Sequence, residues 1–143
     1  MPGYSTERVA KLSQAIAKAE GYGPRNAKPT RLNNPGDIRA PRRVSYPGQK
    51  RIEGQGYVVF KTPAQGWAAL QANIVRIIQG NSKHYTLDTT INQLARRYAT
   101  NWRPWAKNVS TALGVSGSTT LGDYLTGGYQ DVPPQIIFTQ GGL

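Results

Sequence analysis

Residues 16–24 read "IAKAEGYGP". The stretch closes a run in which Val9, Leu12 and Ile16 recur at helical spacing. At about 100° per residue, Glu20 projects along that same apolar stripe. Gly21 or Gly23 can take the left-handed conformation that ends a helix, and Pro24 forbids continuation. Ser5 or Thr6 can cap the other end, where Glu7 suits the positive helix terminus. The spacing predicts a helix over 6–20 whose last residue is a carboxylate among aliphatic neighbours. Such a group reaches solvent at the helix end, pairs with a cation such as Lys18 or Arg25, or sits in a cleft. In a cleft, desolvation and the negative end of the helix dipole both favour the protonated form, which a general acid requires.

Outward from this helix, residues 24–61 are irregular and basic, punctuated by "NNPGD", "YPGQ" and "EGQG". Short strands are expected at 37–40, 44–46 and 57–60, forming a small antiparallel meander. The second half is helical. "TPAQ" at 62–65 has the form of a capping box with Pro at the first helical position, and Trp67, Leu70, Ile74, Ile77 and Ile78 follow at helical spacing up to Gly80. Further helices are expected over 89–98, from Pro104 to Leu113 with a stop at Gly114, and over 118–125. The order of helix, small sheet and several helices predicts an α+β domain over residues 1–126, mainly helical, with the sheet segregated to one side. Residues 127–143 read as a Gly- and Pro-containing tail, in which "QIIFT" has strand character.

Composition narrows the chemistry. With 143 residues the chain builds one domain with a core of its own. It has no cysteine and one histidine, His84. That disfavours thiolate, His-triad and zinc chemistry and leaves carboxylates, hydroxyls and amides; no metal or other cofactor is expected. The net charge is +11, and nine of the 18 Lys and Arg lie between Arg25 and Lys61 against two acids, Asp37 and Glu53. The imbalance points to a polyanionic partner: nucleic acid, an anionic membrane or a bacterial envelope polymer. No secretory leader and no long uncharged apolar run is visible.

Asp37 is the second candidate acid, in a turn that leads into a strand. Asp37 and Glu53 also suit the ordinary turn role of bonding backbone N–H groups. Two carboxylates across a cleft between a helix end and a small sheet are the apparatus for breaking a glycosidic bond. Tyr22, Tyr46, Tyr57, Trp67, Tyr98, Trp102 and Trp105 supply flat faces that stack on sugar rings. Trp67 and Trp105 fall on apolar helical positions and read as core. Tyr22 and Trp102 lie at element boundaries and suit a cleft. His84, in the loop "NSKHYT", reads as structural or solvent-facing.

The blocks "AIAKAEGYG", "PTRLNNPGDIR", "VVFKTPAQGWAAL" and "YTLDTTINQLARRYAT…WAKNVSTALGV" resemble the phage and prophage lytic-transglycosylase-like proteins, relatives of goose-type lysozymes. The likeness runs from about residue 12 to 125 and is carried by the spacing of "NNPGD" and "F…P..GW.AL". It implies a lysozyme-like fold and cleavage of the β-1,4 bond between N-acetylmuramic acid and N-acetylglucosamine in peptidoglycan. The family's catalytic glutamate corresponds to Glu20. The family's Asn-Asn-Pro-Gly-Asp turn corresponds to Asn33, Asn34, Pro35, Gly36 and Asp37, lining the cleft, and its sugar-holding tyrosine to Tyr98. The "GLMQ" and "ES" blocks of soluble transglycosylases are absent, so anhydro-forming transglycosylation and hydrolysis both stay open.

On this likeness Arg39, Arg42, Arg43, Lys50 and Arg51 would hold a monomeric enzyme to glycan strands and an anionic envelope surface. Lacking a leader, a phage enzyme would reach the wall through a partner pore, in the virion or from outside. The alternatives are a cell-wall binder that has lost activity and a nucleic-acid-binding module. The latter lacks a recognition helix rich in Arg and Asn, and specific nucleic-acid binding is not expected.

Overall fold

The computed structural model describes residues 3–40 and 45–127. Arg42, Arg43, Val44 and the tail with its "QIIFT" segment lie outside the described residues. The described residues form an α+β structure with six helices and one two-stranded antiparallel sheet. The order is α1 (Thr6–Ala19), α2 (Lys28–Arg31), β1 (Gln49–Glu53), β2 (Tyr57–Phe60), α3 (Pro63–Ile78), α4 (Ile91–Tyr98), α5 (Trp102–Leu113) and α6 (Leu121–Gly127).

Helix α1 is the hub. It packs against α3, α5 and α6, while α4 packs on α5 and β2 meets α3. Its predicted stripe is the buried one: Val9, Leu12 and Ile16 join Leu70, Ile74, Ile91, Val109, Leu121 and Leu125 in one continuous core. At its start the Arg8 amide donates to Ser5 Oγ at 3.2 Å, so Ser5 is the cap.

The sheet differs from the expected meander. "YPGQ" forms the turn before β1, with Gln49 N–H donating to Tyr46 O at 3.0 Å. Tyr46 therefore precedes the strand, and β1 is the polar run "QKRIE", mostly exposed. An exposed strand carries no apolar alternation, which is why sequence patterning passed over it. The expected strand at 37–40 is reduced to a single bridge between Arg39 and Tyr57. Helix α2 follows Ala27, which offers no side-chain cap, and is a single basic turn without periodicity.

The later helices start where their caps dictate. Thr90 and Gln93 form a full capping box, so α4 begins at Ile91. Thr62 accepts from the Gln65 amide, but Gln65 Oε1 meets the Thr62 hydroxyl rather than its amide, so that box is half made. Helix α5 starts two residues earlier than expected, at Trp102. Helix α6 starts three residues later than expected, at Leu121, because Thr120 pairs with Thr90 in a bridge.

The "NNPGD" loop is stitched to the sheet and to α3. Asn34 is fully buried. Its Nδ2 donates to Ile38 O and Val58 O, both at 2.9 Å, and its Oδ1 accepts from the Ile38 amide at 2.9 Å. Asn33, in the left-handed region at φ 53, donates from Nδ2 to Phe60 O at 3.1 Å. Gly66, in the first turn of α3, lies against the Asn33 carbonyl, where a Cβ would collide with backbone. That contact gives a physical reason for the two sequence blocks to occur together: the loop and the helix entry touch main chain to main chain.

Candidate active site

Helix α1 ends in a closed hydrogen-bond pattern. Gly21 N–H donates to Lys18 O at 3.0 Å and Tyr22 N–H to Ala17 O at 2.9 Å. This paired arrangement needs a left-handed residue after the cap, and Gly21 supplies it at φ 88. Glu20 is thereby fixed as the cap residue, half-buried, with its side chain carried into a cleft.

The cleft has a volume of about 920 Å³. It runs between α1, the Gly36–Ala40 loop and β2 on one side and α3, α4 and the α3–α4 connection on the other. Glu20 and Asp37 are its only acidic lining residues among those described. Trp105, 5% exposed, donates from Nε1 to Glu20 Oε2 at 2.6 Å. Its ring stacks on Tyr98 with centroids 4.9 Å apart. The indole has a donor and no acceptor, so it can only present N–H to the carboxyl. That bond leaves Glu20 Oε1 free to carry a proton.

Burial raises the Glu20 pKa from an ordinary 4.5 to about 7. The Trp105 hydrogen bond opposes the rise, a hydrogen bond and charge repulsion from Asp37 reinforce it, and Lys28 opposes it weakly. Asp37 sits in the left-handed region at φ 50, with Lys28 Nζ 3.0 Å from Oδ1 and hydrogen-bonded to Oδ2 at 3.3 Å. The Lys28 ammonium lies 3.1 Å from the centroid of the Tyr57 ring. Arg39 donates to the Tyr57 hydroxyl at 3.0 Å. Burial raises the Tyr98 pKa well above the usual phenol value, so its hydroxyl is a neutral donor at any working pH.

The structure brings Glu20, Asp37, Arg39 and Tyr98 together along one cleft. It does not bring the other expected residues to that surface. Asn34 is buried and its polar atoms are used up by backbone, and Asn33 serves β2; both build the loop rather than line the cleft. Tyr22 packs edge-on against Trp67 with centroids 5.3 Å apart. Trp102 lies between the Arg96 and Arg103 guanidinium groups, 4.5 and 4.7 Å from its ring centroid. Helix α5 takes in Trp102 as its first residue, and the ring packs against the core. Trp105 corrects the reading as core alone, since its N–H holds the acid. Exposed His84 lines the cleft mouth. Sequence reasoning missed Lys28, Tyr85 and Arg97; α2 carries Lys28 into place, and no periodic signal marks a one-turn helix.

No known protein family, curated protein or solved structure matches this chain. Among the described residues, no three His, Asp or Glu side chains gather as a metal site, and no helix is long and apolar enough to cross a membrane.

The Trp105 contact makes a prediction independent of any activity. Trp105→Phe removes the interaction that favours ionised Glu20, so its pKa moves upward from about 7. A carbon-13 NMR titration of the Glu20 carboxyl checks this. An unchanged or lowered midpoint would show that the indole N–H does not reach the carboxyl in solution.

Proposed function

We propose that this protein is a peptidoglycan-cleaving glycosidase with a lysozyme-like fold, related to the phage lytic-transglycosylase-like proteins. One observation carries the reading. Glu20 is a carboxyl that retains a proton near neutral pH, oriented by a donor-only indole on the wall of a cleft of about 920 Å³. That is the state a general acid needs at the oxygen of a glycosidic bond. The motif spacing described above supports the same substrate.

In the proposed reaction Glu20 gives its proton to the bridging oxygen as the bond from the anomeric carbon to that oxygen breaks. The carbonyl oxygen of the sugar's own 2-acetamido group attacks the anomeric carbon, so no enzyme nucleophile is needed. Glu20, now a carboxylate, removes a proton from water or from the sugar's 6-hydroxyl as that oxygen displaces the acetamido oxygen. Water yields a reducing end; the hydroxyl yields an anhydro sugar. Asp37 lines the same cleft as Glu20, raises its pKa by like-charge repulsion, and is itself paired with Lys28. Held by the Lys28 ammonium, Asp37 suits an electrostatic role, and its removal should cost less than removal of Glu20.

Clearing of purified cell walls by wild type and by Glu20→Gln tests the proposal, with mass spectrometry of the released fragments. Clearing that disappears with the substitution supports it, and equal clearing by both proteins overturns it. Anhydro ends, one water lighter, decide between the two outcomes for the second step. Cationic attraction to the wall also predicts weaker wall binding as salt rises, measured by co-sedimentation.

A further inference from the structure

Helix α1 borders two separate concavities. Leu12, Ile16 and Glu20 line the cleft, whereas Arg8, Lys11, Ala15 and Lys18 line a groove of about 360 Å³ that shares no residue with it. At about 100° per residue the two sets point about 120° apart around the helix axis. Leu113 of α5 and Tyr124 of α6 close the other side of the groove. Ala15 and Tyr124 are buried and Leu113 is half-buried, so the bottom is apolar; Lys11 and Lys18 are exposed at its mouth. No acid lines the groove among the described residues. Arg8 is held by neutral groups: its Nη1 donates to Tyr124 O at 2.9 Å, and the guanidinium carbon lies 4.9 Å from the centroid of the Tyr124 ring. That bond uses one of five N–H donors. Among the described residues neither Arg8 nor Lys18 has a carboxylate within 4.0 Å. Lys11 meets Glu7 at 3.8 Å, but both side chains are exposed, and such a pair cancels little of the charge.

We infer that this face of α1 docks on the headgroups of anionic phospholipids in a bilayer. Arg8, Lys11 and Lys18 span about 15 Å of helix, and their guanidinium and ammonium groups match lipid phosphates. The apolar bottom between them suits the glycerol carbons and first methylenes that follow a phosphate. An anionic leaflet attracts basic groups near its surface, and apolar contact adds to that attraction. A soluble polyanion would engage the cations and leave the apolar bottom unused, which favours the lipid. Docking by this face leaves the Glu20 cleft uncovered. Because no groove residue lines that cleft, lipid binding and glycan cleavage can each fail without the other.

Co-flotation of the full chain with vesicles tests this, using phosphatidylcholine alone or mixed equally with phosphatidylglycerol. Partition onto the mixed vesicles should be at least about tenfold stronger than onto phosphatidylcholine. Lys11→Gln combined with Lys18→Gln should weaken that partition by about 25-fold, about fivefold for each basic group lost from the lipid surface. Lys61→Gln combined with Lys107→Gln removes the same charge outside the groove and should change it by less than about threefold. All four lysines are exposed, so each variant keeps the native core. Equal partition onto the two vesicle types, or equal weakening by the two variants, overturns the docking face. Methyl NMR of Ala15 and Leu113 separates lipid from free phosphate. A short-chain phosphatidylglycerol should shift both signals, and glycerol phosphate should shift neither. Equal shifts with glycerol phosphate overturn the bilayer as the partner. So does a DNA duplex that binds more tightly than the mixed vesicles and loses affinity with the Lys11 and Lys18 substitutions.

Discussion

Glu20→Gln is expected to lower glycan cleavage by about 10²–10⁴-fold, the range contributed by a positioned general acid. The substitution is close to isosteric. The amide oxygen still accepts from Trp105 Nε1, which reaches Glu20 Oε2 at 2.6 Å in the native protein. What is lost is the transferable proton, so the defect should appear in kcat with KM little changed. The same carboxyl predicts the pH dependence. With its pKa raised to about 7, the acid form dominates below neutrality, and cleavage should decline as pH rises through about 7. Stability follows the same sign. The folded pKa lies above the unfolded one, so the folded state holds more protons between about 4.5 and 7. Protonation therefore supports the fold at low pH, and that support is lost as pH rises through this window. The substituted amide is never ionised, so Glu20→Gln should melt higher than wild type at pH 8 and close to wild type at pH 4. Thermal unfolding at the two pH values checks the sign. A variant that melts lower at pH 8 would falsify the claim that Glu20 is held in a desolvating site.

Asn34→Ala is expected to cost about 3 kcal/mol or more of stability, since each buried polar group left unpaired costs about 1–3 kcal/mol. Val58 O and the Ile38 N–H lose the Asn34 side chain, and Ile38 O is left with only its bond from the Val58 N–H. The side chain is fully buried, so water cannot replace it without opening the core. The loss should appear as a lower urea midpoint with an unchanged slope. Activity should fall with it, because the Asp37 amide donates to Asn34 O at 3.1 Å and the loop carries Asp37 to the cleft. A loss below about 1 kcal/mol would mean that the loop is held by its turn geometry alone. A residue that resembles a sugar ligand by its place in the motif would then prove dispensable for the scaffold as well.

Much of the helical frame was legible because amphipathic spacing and punctuation agree. Leu12 and Ile16 face the core as their spacing requires, and Gly21, Gly80 and Gly114 follow the ends of α1, α3 and α5. The position of Glu20 was legible for the same reason. Strand β1 was not, since its residues are mostly exposed and carry no alternation. The site was half legible. Glu20, Asp37, Arg39 and Tyr98 lie along the cleft, whereas Tyr22 and Trp102 found partners in Trp67 and in two arginines. Trp105 shows the deeper limit. Its place on an apolar helical position correctly signals burial, but spacing within one helix says nothing about which polar atom of another element its N–H will meet.

That meeting spans 85 residues of chain. While the protein is being synthesised, Glu20 leaves the ribosome long before α5 exists. Until then it has neither the indole nor the dry wall that α5 contributes, and it is an ordinary solvated side chain. The proton-holding state thus belongs to the finished molecule alone: nascent chains and fragments ending before Trp105 carry the glutamate in a dormant form.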